Sequence, residues 1–265
     1  MDGPELPGVR VEADGRLGRL TLSRPERRNA LGYPQLQALV DAAAWFDARP
    51  DVGVVVVAGE GPSFCGGFDV RDPGPPPAGG ADVALDLGRV AMNAVGSMRA
   101  VTVAKVHGTV KGGGVVLTLT CDLAVAALDA RLSLPESHMG MPIPWATLPR
   151  LVRLLGPMRA KELVLAAVEL GGFEAAEAGL VTRAVPAASL DGAVDTLVAT
   201  LLASPNLVLH EVTAEIERLA EGMAPTTDGA GDVDRMKRAH RDPGCQAAGE
   251  AYLAAWASRR AGPTT

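Results

Sequence analysis

Apolar and polar residues alternate with a period of two in two short segments, Val9 to Glu12 and Leu17 to Leu22. An Asp-Gly pair lies between them and favours a tight turn, so this pattern predicts a β-hairpin. Further along, Val52 to Ala58 is almost continuously aliphatic and β-branched, which is typical of a strand buried on both faces of a sheet. Val101 to Val106 predicts another strand, and it leads into a stretch that contains three consecutive glycines.

Apolar residues recur at helical spacing between these strands, and this spacing dominates the chain after Gly140. The alternation of strand, glycine-rich loop and helix predicts an α/β fold. We divide the 265 residues into a core domain, residues 1–195, and a helical C-terminal region, residues 196–265. The pattern predicts helices over residues 36–46, 82–98, 148–155, 158–168, 173–178, 190–202 and 207–219, a short strand at 181–185, a loop at 224–231 and one closing helix.

The composition excludes several classes of function. With 48% hydrophobic residues, 21% charged residues and a net charge of -6, the chain has the balance of a soluble globular protein and no basic excess for nucleic acid. No apolar run approaches the roughly 18 residues of a membrane span, and the start lacks the pattern of a signal peptide. We therefore expect a cytoplasmic protein without a nucleic-acid or membrane partner.

Neither the cysteines nor the histidines are spaced for metal binding. The 3 cysteines are odd in number and far apart, which indicates neither a disulfide framework nor a metal clip. The 4 histidines also lack the spacing of metal ligands. The sequence therefore predicts no metal site.

Two glycine-rich loops follow predicted strands, and that is where α/β proteins place ligands. The first is GEGPSFCGGFD, residues 59–69, and the second contains Gly112 to Gly114. Neither loop has the spacing of a phosphate-binding P-loop, a dinucleotide fingerprint or a nucleophile elbow. The triplet is consistent with tight packing against a strand, and equally with a helix mouth whose N–H groups stabilise negative charge on an oxygen. Glu136 follows at a distance from which it can supply proton chemistry.

Several motifs together resemble the enoyl-CoA hydratase/isomerase (crotonase) superfamily, over roughly residues 8 to 260. The resemblance implies a crotonase-like spiral of ββα units, a C-terminal helical trimerisation region and a CoA thioester as the ligand. It also implies a homotrimer or hexamer, and no cofactor apart from the coenzyme A of the substrate. The motifs, in chain order, are RPERRNAL, VVVVAGEGPSFCGGFD, VHGTVKGGGVVLTLTCDLAVAALDARLSLPESHMGM, RLVRLLGPMRAKELVL and AAEAGLVTRAVP.

The resemblance assigns roles at the reacting centre. The backbone N–H groups of Phe68 and Gly113 match the pair that binds the thioester oxygen, and Glu136 matches a catalytic glutamate. The family's hydratases carry a second glutamate where this chain has Val116, which can neither hold nor deprotonate a water. We therefore expect an isomerase that moves a double bond with Glu136 alone. The alternatives are a hydratase or other lyase with an atypical site, and a CoA-thioester binding protein with little catalysis.

The resemblance also assigns residues to the CoA moiety and to the acyl pocket. A Gly-rich turn of the family is replaced here by MPIPWATLP, so Met141 and Trp145, together with Val116, are expected to reshape the acyl pocket. Solvated arginines are the alternative for the cationic contacts, and the roles of Lys111 and His138 stay open. The expected CoA contacts are Arg27, Arg28, Cys65, Gly66, Asp69, Arg259 and Arg260.

Overall fold

The computed structural model describes the backbone of residues 1–227 and 230–261 and, apart from residues 230, 256 and 259–261, their side chains. The strands in this part of the chain are β1 (Val9–Asp14), β2 (Leu17–Leu22), β3 (Val54–Gly59), β4 (Val101–Val106), β5 (Thr109–Lys111), β6 (Leu123–Ala127), β7 (Arg131–Ser133), β8 (Leu170–Gly171) and β9 (Arg183–Val185).

The larger sheet has six strands in the order β1-β2-β3-β4-β6-β9. Strands β1 and β2 pair antiparallel, with Asp14 opposite Leu17, and every later neighbour pairs parallel. The predicted hairpin and the predicted buried strands are therefore confirmed. A smaller sheet has the order β5-β7-β8. Its strands are two or three residues long, too short to leave a periodic pattern in the sequence.

The helices are α1 (Tyr33–Asp47), α2 (Ala81–Gly96), α3 (Gly113–Thr120), α4 (Thr147–Leu165), α5 (Gly172–Glu177), α6 (Leu190–Leu202), α7 (Asn206–Met223), α8 (Ala230–Arg241) and α9 (Pro243–Ala261). Short 3-10 helices cover Pro25–Arg27, Glu136–Met139 and Ala187–Ser189.

Most predicted helices are confirmed, with two corrections. The predicted helices 148–155 and 158–168 form one element, α4, that is broken at Gly156, where φ is 72°. The predicted closing helix is confirmed as α9, but the sequence missed α8, which precedes it and begins inside the predicted loop 224–231. Residue 195, our predicted domain boundary, lies within α6, and the division into two regions stays a prediction.

Successive strands alternate between the two sheets, and this alternation positions the glycine loops. Strand β4 in the large sheet is followed by β5 in the small sheet and then by α3, and β6 is followed by β7 in the same way. The loop that leaves β3 crosses to β5, where Ser63 bridges Gly108 and Cys65 bridges Val110. Because β3 and β4 are parallel neighbours, the chain leaves both strands at the same edge of the large sheet, and both glycine loops follow from that edge.

The core lies between the large sheet and the helices. Helix α1 packs on β1, and α6 packs on β3, β4 and β6. No single described helix is long and apolar enough to cross a membrane. The segments Ala187–Leu202 and Asn206–Met223 pass that length and composition test only as a pair, bent by 103°.

We expect Phe46→Ala to lower the free energy of unfolding by about 3–5 kcal/mol. Phe46 is 2% exposed, and its ring fills the space left by Gly18, where an added Cβ would lie 2.6 Å from Cε1. Urea unfolding followed by tryptophan fluorescence measures the loss, since the ring of Trp45 lies 4.9 Å from that of Phe46. Met158→Ala is the control, because Met158 is 84% exposed. Equal losses in both variants would contradict this assignment of the core.

Candidate active site

The two glycine loops meet backbone against backbone. Gly67 has a φ of +87°, and a Cβ on it would lie 2.5 Å from the carbonyl oxygen of Lys111 and 3.3 Å from the amide nitrogen of Gly113. A positive φ and this lack of space both require glycine. The first loop therefore lies directly on the backbone that opens α3.

The N–H groups of Phe68 and Gly113 are left without a hydrogen bond among the described residues. Gly113 opens α3, and the first N–H groups of a helix have no partner inside it. The neighbours of Phe68 are held on both sides, because Leu31 donates to the carbonyl of Gly67 at 2.8 Å and accepts from the amide of Asp69 at 3.0 Å. Both residues line one cavity, so two fixed donors are available to an oxygen of a ligand.

Glu136 lies beside these donors as a buried and partly unpaired carboxylate. It follows Pro135 and opens a short 3-10 helix, and it is only 8% exposed. Its Oε2 atom has no hydrogen-bond partner in the part of the chain that the structure describes. Burial raises the pKa of Glu136 to about 7, and a backbone hydrogen bond partly opposes this effect. A carboxylate with this pKa can both accept and return a proton near neutral pH.

Gly112 makes the room that Glu136 occupies. Its φ is +49°, and an added Cβ would lie 2.5 Å from Oε1 of Glu136. Its N–H group donates to the carbonyl of Ser133 in β7 at 3.0 Å, which ties the triplet to the strand that leads to Glu136. The middle glycine of the triplet thus opens the helix, and the first glycine admits the carboxylate.

Two open spaces join at Glu136. A groove of about 460 Å³ runs past Gly66, Gly67 and Lys111, and a smaller cavity of about 260 Å³ reaches Val116 and Trp145. Phe68, Val70, Glu136 and Met141 line both spaces. A ligand that lies in the groove can therefore extend its end past Glu136 into the cavity.

The cavity offers an apolar wall to Glu136. Val116 is 2% exposed and lies one turn after Gly113 on the same face of α3. Trp145 is 7% exposed, and its ring makes an edge contact with the ring of Phe68, with centroids 6.0 Å apart. Within the described chain, the cavity contains no second carboxylate, and its other ionisable side chains are those of Tyr33 and His240.

The cationic residues expected at CoA have different surroundings. Arg27 donates from Nη2 to Oδ2 of Asp69 at 2.7 Å and from Nε to the same oxygen at 3.2 Å. Asp69 is 4% exposed, so its carboxylate is buried in the protein. The ion pair partly neutralises the charge of Arg27. Arg28 is exposed, lines the groove and makes no ion pair with any described residue. Arg28 is therefore the better placed of the two arginines for a phosphate.

The remaining predicted contacts are resolved to different degrees. Gly66 lines the groove. Cys65 is fully buried, its thiol donates to the carbonyl of Asn29, and burial raises its pKa to about 12. The side chain of Cys65 is therefore part of the core, and only its backbone remains for the predicted contact with CoA. Arg259 and Arg260 belong to α9, and their side chains lie outside the described residues.

The two residues whose roles the sequence left open are also placed. Lys111 lines the groove, and its Nζ is 3.8 Å from a carboxylate oxygen of Glu169. His138 is exposed and borders neither the groove nor the cavity. Lys111 can thus meet a ligand in the groove, and His138 lies outside it.

Sequence reasoning missed Asn29, which supports the first loop from below. Asn29 is 1% exposed with a φ of 55°. Its amide donates to the carbonyls of Glu60, Ser63 and Phe64, and its oxygen accepts from the amide of Arg24. Asparagine is enriched at positive φ, which is the one signal its position in RPERRNAL offered.

Sequence reasoning also missed the part that the C-terminal region plays. Tyr252 and Leu253 of α9 line the groove, and α9 packs on the 3-10 helix that begins at Glu136. Gly140 ends that helix with a φ of +69°, and a side chain there would overlap the carbonyl oxygen of Cys245. The helical region is therefore a wall of the site, which no local pattern in the sequence could reveal.

This chain is similar in sequence to known proteins. The family model for enoyl-CoA hydratase/isomerase matches residues 12–253. A protein named probable enoyl-CoA hydratase echA8, from Mycobacterium tuberculosis, is 33% identical over 185 residues, which are 69% of this chain and 70% of that protein. A peroxisomal Delta(3,5)-Delta(2,4)-dienoyl-CoA isomerase from Arabidopsis thaliana is 30% identical over 203 residues, 71% of this chain and 73% of the relative.

A solved structure agrees with the fold across the chain. A putative enoyl-CoA hydratase from Thermobifida fusca YX, in complex with acetoacetyl-CoA, is 31% identical with a TM-score of 0.74. The match covers 93% of this chain and 95% of that one. The crotonase fold expected from the motifs is thereby confirmed, and relatives named as hydratases and as an isomerase make this chain an enzyme of one of those types. The chain belongs to the enoyl-CoA hydratase/isomerase family.

Proposed function

We propose that this enzyme isomerises the double bond of an enoyl-CoA thioester, with Glu136 as its single acid/base residue. The observation that carries the proposal is the buried Oε2 atom of Glu136, which has no partner among the described residues and lies in a cavity with no second carboxylate. The acetoacetyl-CoA in the Thermobifida relative supports an acyl-CoA as the ligand. The coenzyme A of the substrate is the only cofactor that the proposal includes.

The proposed reaction begins with the thioester oxygen between the N–H groups of Phe68 and Gly113. Glu136 removes a proton from C2 of a 3-enoyl thioester, and the electron pair of that C–H bond passes into a dienolate whose negative charge rests on the thioester oxygen. Protonated Glu136 then returns the proton to C4, which leaves a 2-enoyl thioester and regenerates the carboxylate. Each donor to such an oxyanion typically contributes a factor of about 10² to 10³ in rate.

Hydration is the second candidate, because relatives are named enoyl-CoA hydratases. Hydration needs a water that is held and activated at C3, and the site offers Val116 and Trp145 on the wall where a second carboxylate would act. An apolar wall leaves such a water without its hydrogen bonds. We therefore place isomerisation first and hydration second.

We also propose that the chain works as a homotrimer or hexamer in the cytoplasm. Helix α7 has no buried residue, and one set of apolar side chains along it is exposed, namely Leu207, Val208, Val212, Ile216, Leu219 and Met223. Exposed apolar surface of this extent is typical of an interface. A second copy of this chain is the partner that we propose for it.

The isomerisation is tested with a 3-enoyl thioester in heavy water. We expect wild type to form the 2-enoyl thioester, with deuterium at C4, and at C2 after reversal, in the turnovers in which the carboxyl proton of Glu136 exchanges with solvent before its return. Glu136→Gln should lose a factor of about 10² to 10⁴ in turnover, because the amide cannot accept the proton. Glu177→Gln is the control, since Glu177 is exposed in α5 and lines neither the groove nor the cavity. Undiminished turnover in Glu136→Gln would sink the proposal, and oxygen-18 from water at C3 would favour hydration.

The pKa of Glu136 also predicts how stability depends on pH. Burial raises this pKa from 4.5 to about 7, so between these values the folded protein holds a proton that the unfolded chain has released. The contribution of this carboxyl group is fully present below pH 4.5 and is lost as the pH rises through 7. We expect wild type to lose up to about 3 kcal/mol relative to Glu136→Gln over that range.

Urea unfolding at a series of pH values measures this difference, and the isomerisation rate should rise over the same range as the base ionises. Glu215→Gln is the control, because Arg218 lowers the pKa of the exposed Glu215. For that variant the difference from wild type should stay level above pH 4.5. A level difference for Glu136→Gln as well would show that Glu136 is not the buried proton carrier we infer.

A further inference from the structure

The indole of Trp145 crosses the cavity from α3 to α2. A side-chain carbon at Gly113 would overlap Cζ3 of the ring, and one at Gly88 in α2 would overlap Nε1. These atoms lie on opposite edges of the indole, so the ring spans the distance between the two glycines. Neither glycine has a positive φ, so the backbone conformation does not require glycine at these positions. Glycine is needed at both because the indole occupies the space that a side chain would fill.

The backbone that carries the indole is held in an unusual conformation. Trp145 and Ala146 have φ values of 66° and 52°, a region that residues with a side chain seldom occupy. Arg150, itself 7% exposed, donates from Nη1 to the carbonyl of Trp145 at 3.0 Å and to that of Ala146 at 3.1 Å. Asp232, also 7% exposed, accepts from the amide of Ala146 at 2.7 Å.

These contacts fix the position of the ring from two directions. Arg150 belongs to α4 and also donates to the side chain of Asn93 in α2 at 2.7 Å, and Asp232 belongs to α8 in the C-terminal region. Met236, one turn after Asp232, lines the same cavity. Hydrogen bonds from α4 and α8 therefore hold the turn, and Trp145 cannot change position unless these buried hydrogen bonds are lost.

The space that remains beside the indole is small. The cavity holds about 260 Å³, which is below the roughly 300–1,000 Å³ of common small-molecule sites. The ring of Phe68 forms one edge of the cavity and contacts Trp145. The indole therefore restricts the space for an acyl chain close to the proposed oxygen-binding donors. An acyl group that passes Glu136 meets the indole within a short distance.

We propose that Trp145 is a specificity-determining residue that limits the substrate to short acyl chains, and that Asp232 and Arg150 are positioning residues for its ring. This inference rests on the proposed function, because it takes the cavity to be the acyl site. It adds the substrate class, a short-chain CoA thioester, and it gives the C-terminal helix α8 a part in selecting that class.

Binding of saturated acyl-CoA thioesters tests the limit without any turnover. We expect calorimetry from acetyl-CoA to decanoyl-CoA to show that wild-type affinity stops rising at short chains. Trp145→Ala should continue to gain about fourfold for each further CH₂ that is buried, or roughly fifteenfold for two. Trp145→Phe should lie between them, and it also tests the proposal if Trp145→Ala does not fold.

Asp232 and Gly88 test whether the position of the ring, and not only its presence, sets the limit. Asp232→Ala removes the acceptor of the Ala146 amide and should move the chain-length profile toward that of Trp145→Ala, whereas Asp232→Asn keeps an acceptor and should retain the short-chain profile. Gly88→Ala should displace the ring and alter the profile. Its matched control is Gly192→Ala in α6, where an added Cβ has no atom within 4 Å.

Each outcome decides one of the two proposals. A wild-type affinity that rises evenly with chain length, or a Trp145→Ala profile equal to that of wild type, overturns the chain-length limit and leaves the isomerase in place. A fall in the stability of Asp232→Ala with an unchanged profile overturns its positioning role. Absence of binding by every thioester overturns the acyl site itself, and with it the proposed function.

Discussion

The site depends on the contact between two stretches of bare backbone. Gly67 lies against the carbonyl of Lys111 and the amide of Gly113 at distances that admit no side chain. From loops that are distant in sequence, this contact brings together two N–H groups that donate to no other described residue. Asn29 holds the first loop from below through three carbonyls. The parallel pairing of β3 and β4 delivers both loops to one edge of the sheet. A rigid pair of donors costs little reorganisation when charge develops on an oxygen, which is why such a contact suits catalysis.

Glu136 gains its chemistry from the same crowding. The carboxylate occupies the place where a side chain at Gly112 would be, and burial there raises its pKa to about 7. In water such a group would be ionised and passive at neutral pH, and in a fully sealed core it would stay protonated. At the junction of a groove and an apolar cavity, Glu136 can both accept a proton and return it. The resemblance sets Val116 where the family's hydratases carry a second glutamate, and this is why we propose proton transfer by Glu136 alone.

Specific contacts position the apolar wall of the site, as they do the oxygen-binding donors. Two glycines clear the space for the indole of Trp145, and Arg150 and Asp232 satisfy the polar groups of the left-handed turn that carries it. The C-terminal helices α8 and α9 contribute side chains to the cavity and to the groove. The helical region therefore shapes the site in addition to presenting the exposed apolar face of α7.

The amino-acid sequence by itself determined the hairpin, the buried strands, most of the helices and the family, because these depend on local periodicity and on short motifs. It also determined that residue 116 is a valine, at the position where the resemblance expects the second glutamate of the family's hydratases. Only the tertiary structure decided that Asp69 pairs with Arg27, that Cys65 is a core thiol and that Asp232 supports the backbone of Ala146. These facts join residues 36 to 86 positions apart. Burial and hydrogen bonding between such residues arise only when the chain packs, so no local pattern records them.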